Sequence, residues 1–275
     1  MSGGGNSALQ QALLASYGVL VRTGIMRQAW ARRLFLAAYS VYKARIEAGP
    51  VDRLKEFVPP GSTVVDVGAN VGFFTLKFAR WVGEHGCVIA IEPDIENFGT
   101  LAAKVTAAGL ERRVRLHQAA AAAEAGSVRL RRNELHPGDH QITFGTRGML
   151  VPAVTVDDLI SGAGVRPVSL VKIDVQGAEM LVLQGAKRTL NKMRPALFVE
   201  VDDGALRRFS SSAHALITHI ETTGYEIHKL AKNGPARKLS RDGLLTNLRT
   251  SSYLDILFLP ASDQDSCITN RRIET

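Results

Sequence analysis

The sequence predicts an α/β fold with a Rossmann-like core, and three observations carry that prediction. The run Thr63-Val64-Val65-Asp66-Val67 has the apolar character of a central parallel strand. It leads into a glycine turn, Gly68-Ala69-Asn70-Val71-Gly72, and then into a helix start. A second run, Cys87-Val88-Ile89-Ala90-Ile91, has the same character and ends on an acid, Glu92, followed by Pro93. Strand-like and helix-like patterns then alternate as far as Pro260, the order that builds a mostly parallel sheet with helices on its faces.

Each element has a local reason. Val51 to Val58 forms a short helix, and Pro59-Pro60-Gly61 stops it and delivers the chain to the first strand. Helices follow strands one and two, over Gly72 to Val82 and Ile95 to Ala108, and Val114 to Gln118 is strand three. Ser127 to Arg132 alternates Val128 and Leu130 with Arg129 and Arg131, the two-residue period of a half-buried strand. With the turn His136-Pro137-Gly138-Asp139-His140 and the strand-like Met149 to Val154, it reads as a small insertion near the mouth of the pocket. Val156 to Ser161 is helical, Val168 to Asp174 is strand four, and one helix spans Ala178 to Leu190. Strand five at Ala196 to Val201, a helix at His214 to Thr223, a strand at Tyr225 to Leu230 and a last, antiparallel strand at Tyr253 to Leu259 complete the sheet.

In open α/β sheets, ligands bind beyond the carboxyl ends of the strands. The first turn reads D-x-G-x-x-x-G, not the G-x-G-x-x-G of dinucleotide sites, whose phosphates a carboxylate would repel. Asp66 can instead accept a hydrogen bond from a cationic amino group, which S-adenosylmethionine offers. Gly68 and Gly72 let backbone approach a ligand closely. Glu92, about 20 residues further on, suits ribose hydroxyls. The bland alternative makes Asp66 a helix cap and Glu92 a solvated turn residue, and the two elements in order outweigh it.

Asp174 and Glu200 also end strands. Asp174 has three readings: a general base or orienting group for an acceptor hydroxyl, a divalent-cation ligand with Glu200 or Asp202, or a cap for the next helix. We take the first. No metal site is expected, since no histidine or further carboxylate arrives at ligand spacing. Gln176 and Glu179 either reach the same rim or cap the following helix. His140, in the inserted loop, is a candidate base set against an ordinary solvated loop histidine. Lys172, between Val171 and Ile173, is unusual for a central strand and receives no catalytic role.

The segments VVDVGANVGFFT, VIAIEPDIENF and VKIDVQGAE, with VLQGA after them, together resemble the FkbM-type S-adenosylmethionine-dependent methyltransferases from about Val64 to Pro260. The resemblance implies a seven-stranded class I methyltransferase sheet and methyl transfer to a hydroxyl oxygen of a small molecule, sugar, or glycan- or lipid-linked acceptor. It also implies a cofactor site made of Asp66, Gly68, Asn70, Gly72, Glu92 and, at the adenine, Gln118. Competing chemistries fit less well. Methylation of a base nitrogen would want an aromatic and prolines just after strand four, where Val175-Gln176-Gly177-Ala178 stands. Pyrimidine carbon-5 methylation needs a cysteine nucleophile near the site, and neither Cys87 nor Cys267 is so placed. An RNA methyltransferase is kept alive by Arg112, Arg113, Arg115, Arg129, Arg131 and Arg132, but these lack interleaved aromatics. The remaining alternative is an interaction module that binds S-adenosylmethionine without transfer.

The sequence has 275 residues, a net charge of +8 and two cysteines that suggest neither a disulfide nor a metal site. A reducing, cytoplasmic compartment is expected. Three regions are expected: an N-terminal helical extension over residues 1–50, a methyltransferase domain over 51–262 and a polar tail over 263–275. Met1 to Ile46 contains no acid, and Trp30, Leu34, Ala38 and Tyr42 recur at helical spacing. Arginines interrupt its apolar runs too often for a membrane span. A cap over the active-site mouth is favoured over a helix lying peripherally on an anionic membrane and over a transit-like leader.

Overall fold

The computed structural model describes residue 28 and residues 51–131, 141–143, 148–162, 164, 166–231, 234–251 and 253–261. The expected N-terminal cap, the 263–275 tail and His140 therefore lie outside the described residues. A 3-10 turn, Asp52–Phe57, takes the place of the expected first helix. The main sheet then alternates with helices: β1 Thr63–Val67, α1 Phe73–Trp81, β2 Cys87–Ile91, α2 Ile95–Ala107 and β3 Val114–His117. An inserted unit follows, with β4 Ala120–Ala121, β5 Gly126–Arg131, β6 Gln141–Thr143 and β7 Met149–Val154. The second half holds α3 Val156–Gly162, β8 Val168–Ile173, α4 Glu179–Gln184, α5 Lys187–Met193, β9 Ala196–Val201, α6 Asp203–Arg207 and α7 Ala213–Thr222. It closes with β10 Tyr225–Lys229, β11 Arg237–Lys238, α8 Arg241–Thr250 and β12 Leu254–Pro260.

The main sheet runs β11-β10-β12-β9-β8-β1-β2-β3, with β12 antiparallel between β9 and β10. The expected seven strands are all present, and the two-residue β11 adds an eighth at the edge. β1 is buried along its whole length because both faces are covered. On one face Val65, Ile89, Val171 and Val199 pack in one cluster. On the other, Val64, Val88, Leu170 and Phe198 pack with Phe78 of α1 and Leu101 of α2. Strand order reverses between β1 and β8, so the carboxyl ends there open a crevice. The inserted strands form a second sheet, β4-β7-β5-β6, whose Leu130 and Ile142 help wall that crevice.

The helix expected over Ala178 to Leu190 is two helices. Gly185 lies so close to Ala122 that a Cβ there would stand 2.1 Å from the Ala122 carbonyl oxygen. The Gly185 carbonyl accepts from the Asp157 amide. The Asp157 carboxylate in turn accepts from the amides of Arg188 and Thr189 at 2.8 and 2.9 Å, restarting the chain as α5. The short helices α6 and α8 were not anticipated either, and Asp202 and Ser240 cap them. Among the described residues no helix is long and apolar enough to cross a membrane.

Candidate active site

The crevice is a solvent-open cavity of about 560 Å³, lined by residues from the ends of β1, β2 and β8 and from the inserted sheet. Gly68 and Asn70 form its floor loop, Glu92 and Asn97 stand at the β2 end, and Asp174 and Gln176 stand at the β8 end. The loop is anchored to β2, because the amides of Gly68 and Ala69 both donate to the Ile91 carbonyl at 3.0 Å.

Gly68 is required by its backbone. Its φ is +75°, and an added Cβ would lie 1.9 Å from the Asp174 carbonyl oxygen. The glycine thus admits the backbone after β8 against the loop. Gly72 caps α1 at φ +90° and makes room for Leu101 of α2, where a Cβ would meet a methyl at 2.7 Å. It is a packing residue and does not line the cavity.

Glu92 is 4% exposed and its carboxylate is fixed by main chain. One oxygen accepts from the Asn70 amide at 2.8 Å and the other from the Asp94 amide at 2.9 Å. Burial pushes its carboxyl up to about 7, against the opposing pull of those two amides.

The β8 end is built from side chains. Gln176, in the left-handed region at φ +56°, donates to Asp174 at 3.2 Å and to Glu200 of β9 at 2.9 Å, bridging two carboxylates. Glu200 is therefore not held by Arg194, which donates to the carbonyls of Thr223 and Gly224. The Lys172 ammonium lies 3.5 Å from an oxygen of Asp174 and 3.5 Å from one of Asp66, and donates to the Gly68 carbonyl at 2.8 Å.

Several predicted site residues stand elsewhere. Asp66 is fully buried beneath the loop, where Thr75 of α1 donates to it at 2.6 Å, so it does not face a ligand's amino group. Its neighbours follow from register, since Asp66 and Lys172 are partners across β1 and β8 and point to the same side. Burial raises its carboxyl above the usual range even with Lys172 and Thr75 pulling the other way. Gln118 is exposed just past β3, while the following Ala119, Ala120 and Ala121 line the cavity. Glu179 is 2% exposed and turns under the 175–177 turn, accepting from the Gly177 amide at 3.0 Å. Its other oxygen has no hydrogen-bond partner among the described residues, and burial pushes its carboxyl up to about 7. Glu179 is the turn's internal brace, and Gln176 is the rim residue. Among the described residues no group of three or more His, Cys, Asp or Glu is arranged to hold a metal ion.

The model of the methyltransferase FkbM domain family matches residues 66–227, more than half of the chain. The chain belongs to the FkbM methyltransferase family. A curated relative, the 2-O-methyltransferase NoeI of Sinorhizobium fredii, is 28% identical over 164 residues, covering 54% of this chain and 66% of that protein, just under two thirds. Two solved structures are also similar. The FkbM methyltransferase from Methylobacillus flagellatus has a TM-score of 0.46 at 19% identity, covering 87% of this chain and 59% of that one. The S-adenosylmethionine-dependent O-methyltransferase from Thermotoga maritima has a TM-score of 0.42 at 13% identity, covering 79% and 66%.

Membership in the FkbM family implies S-adenosylmethionine as methyl donor, and the cavity's chemistry fits it. Each Glu92 oxygen spends one lone pair on an amide and keeps another for a ribose hydroxyl. The cavity also has the size of a cofactor pocket, roughly 300–1,000 Å³.

Proposed function

We propose that this FkbM-family domain is an S-adenosylmethionine-dependent O-methyltransferase whose acceptor is a hydroxyl of a small molecule, a sugar, or a glycan- or lipid-linked compound. The observation that carries the reading is Asp174: a carboxylate on the wall of the same cavity as Glu92, aimed by Lys172 and Gln176. When bound, the donor supplies an electrophilic methyl carbon. What is left for the chain is to hold an acceptor oxygen in line and take its proton. Asp174 suits both tasks. Its carboxylate accepts the hydroxyl's hydrogen bond and then its proton as the new oxygen–methyl bond forms. Glu92 and Asn70 orient the donor, with Glu92 accepting from ribose hydroxyls.

The name of the Sinorhizobium relative, a 2-O-methyltransferase, supports oxygen as the accepting atom. The residues that line the cavity include no aromatic among those described, which does not favour stacking of an extruded base. The test is incubation with methyl-labelled S-adenosylmethionine and a fractionated cell extract. Label in hydroxyl-bearing small molecules, glycans or lipids is expected, and label in RNA would contradict the reading.

A further inference from the structure

Lys172 is 3% exposed in the middle of a sheet, an expensive place for an ammonium unless it is paired. Its surroundings are specific. The Gly68 carbonyl accepts from it at 2.8 Å, Asp66 and Asp174 each present an oxygen at 3.5 Å, and the Phe74 ring of α1 lies 5.2 Å away. A loop brace would need only the Gly68 bond. The side chain also reaches the one partly exposed carboxylate of the cluster, Asp174, whose side chain is 27% exposed at the cavity.

We infer that Lys172 is a positioning residue for methyl transfer, whose buried charge keeps the Asp174 carboxylate ionised and turned toward the acceptor. The inference rests on the reading of Asp174 as the proton acceptor. Its electrostatic logic follows from the neighbours. Acids stand around Asp174 on several elements: Asp66 on β1, Glu92 past β2, Glu179 in its own turn and Glu200 on β9 through Gln176. From α1 come the uncharged Thr75 hydroxyl and Phe74 ring. Several carboxylates in a small volume favour protonating one another, and a cation touching Asp174 opposes that. A neutral side chain at position 172 would leave the base protonated to higher pH, while one that keeps the charge would not.

The experiment compares pH profiles of kcat, at saturating donor, for the wild type, Lys172→Met, Lys172→Arg and Asp174→Asn, and for the Lys172→Met, Asp174→Asn double variant. Lys172→Met is expected to lose roughly 10–100-fold near neutral pH and to move the acid limb up by about one pH unit or more, so that part of the loss returns at alkaline pH. Lys172→Arg should return the limb to near its wild-type position, and Lys172→Met should cost little more in the Asp174→Asn background. Circular dichroism and donor titration monitor folding, and if Met proves too disruptive, the neutral but polar Lys172→Gln carries the same pH test. An unmoved limb, with a loss that is uniform across pH and multiplies with that of Asp174→Asn, would overturn the inference and leave Lys172 a brace for the glycine loop. A fully active Asp174→Asn would instead remove the reading of Asp174 on which the inference depends.

Discussion

The two acidic ends of the cavity are held in opposite ways. At the β2 end, Glu92 is gripped by main-chain amides of Asn70 and Asp94, so its place is fixed by the loop itself. At the β8 end, Asp174 is held by side chains, Lys172 and Gln176, the second of which also ties in Glu200. Backbone clamps give a rigid site for a donor that every turnover reuses. Side-chain clamps give one whose charge and aim a few residues set, as a proton acceptor needs. The comparison teaches a division of labour: changes at the β2 end alter donor affinity, and changes at the β8 end alter the rate of transfer.

The most severe way to break the comparison is to disrupt the contact that joins the two ends. Gly68→Val would drive a Cβ into the Asp174 carbonyl at a φ of +75°. Thermal unfolding should show a loss of more than about 3 kcal/mol, with donor binding and transfer falling together. Asp174→Asn comes next. It is nearly isosteric, so steady-state assays should show turnover lower by about 10²–10⁴-fold, with donor affinity within a fewfold of wild type.

At the other end, Glu92→Ala removes a buried, charge-assisted acceptor and should weaken donor binding roughly tenfold to a hundredfold by calorimetry. The pH dependence sharpens this. Burial pushes the Glu92 carboxyl up to about 7, and donor hydroxyls bond best to its ionised form, so wild-type affinity should rise as pH increases through 7. Glu92→Gln should flatten that rise.

The smallest effect concerns Glu179, which serves the β8 turn from inside. Its carboxyl is raised from 4.5 to about 7, so the folded state prefers the protonated form. Stability from this group is fully present below pH 4.5 and is lost as pH rises through about 7. Glu179→Gln should therefore melt higher than wild type above pH 7, by about 1–2 kcal/mol, and match it near pH 4.

The sequence made the sheet and both acidic ends legible, because buried parallel strands read as apolar runs and their carboxyl ends fall on acids at Glu92 and Asp174. Long-range packing was the hidden part. Asp66 looks like a ligand residue in the sequence, yet strand register and Thr75 turn it inward. Lys172 carried a visible signal, a cation in an apolar strand two residues before an acid, but its three partners come from β1, the glycine loop and the residue after β8. The break at Gly185 depends on Ala122 and Asp157, both distant in the chain, so helical periodicity alone runs straight through it. Gln118 is one position short of the alanines that line the cavity, within the usual blur of a strand end.

The division between the two ends is tested most directly by single-turnover methyl transfer at saturating donor, measured on Glu92→Ala beside Asp174→Asn. Once donor saturates, Glu92→Ala is predicted to transfer within a fewfold of the wild-type rate, while Asp174→Asn stays at least about 10²-fold slower. Equal slowing of the two variants at saturation would contradict the division.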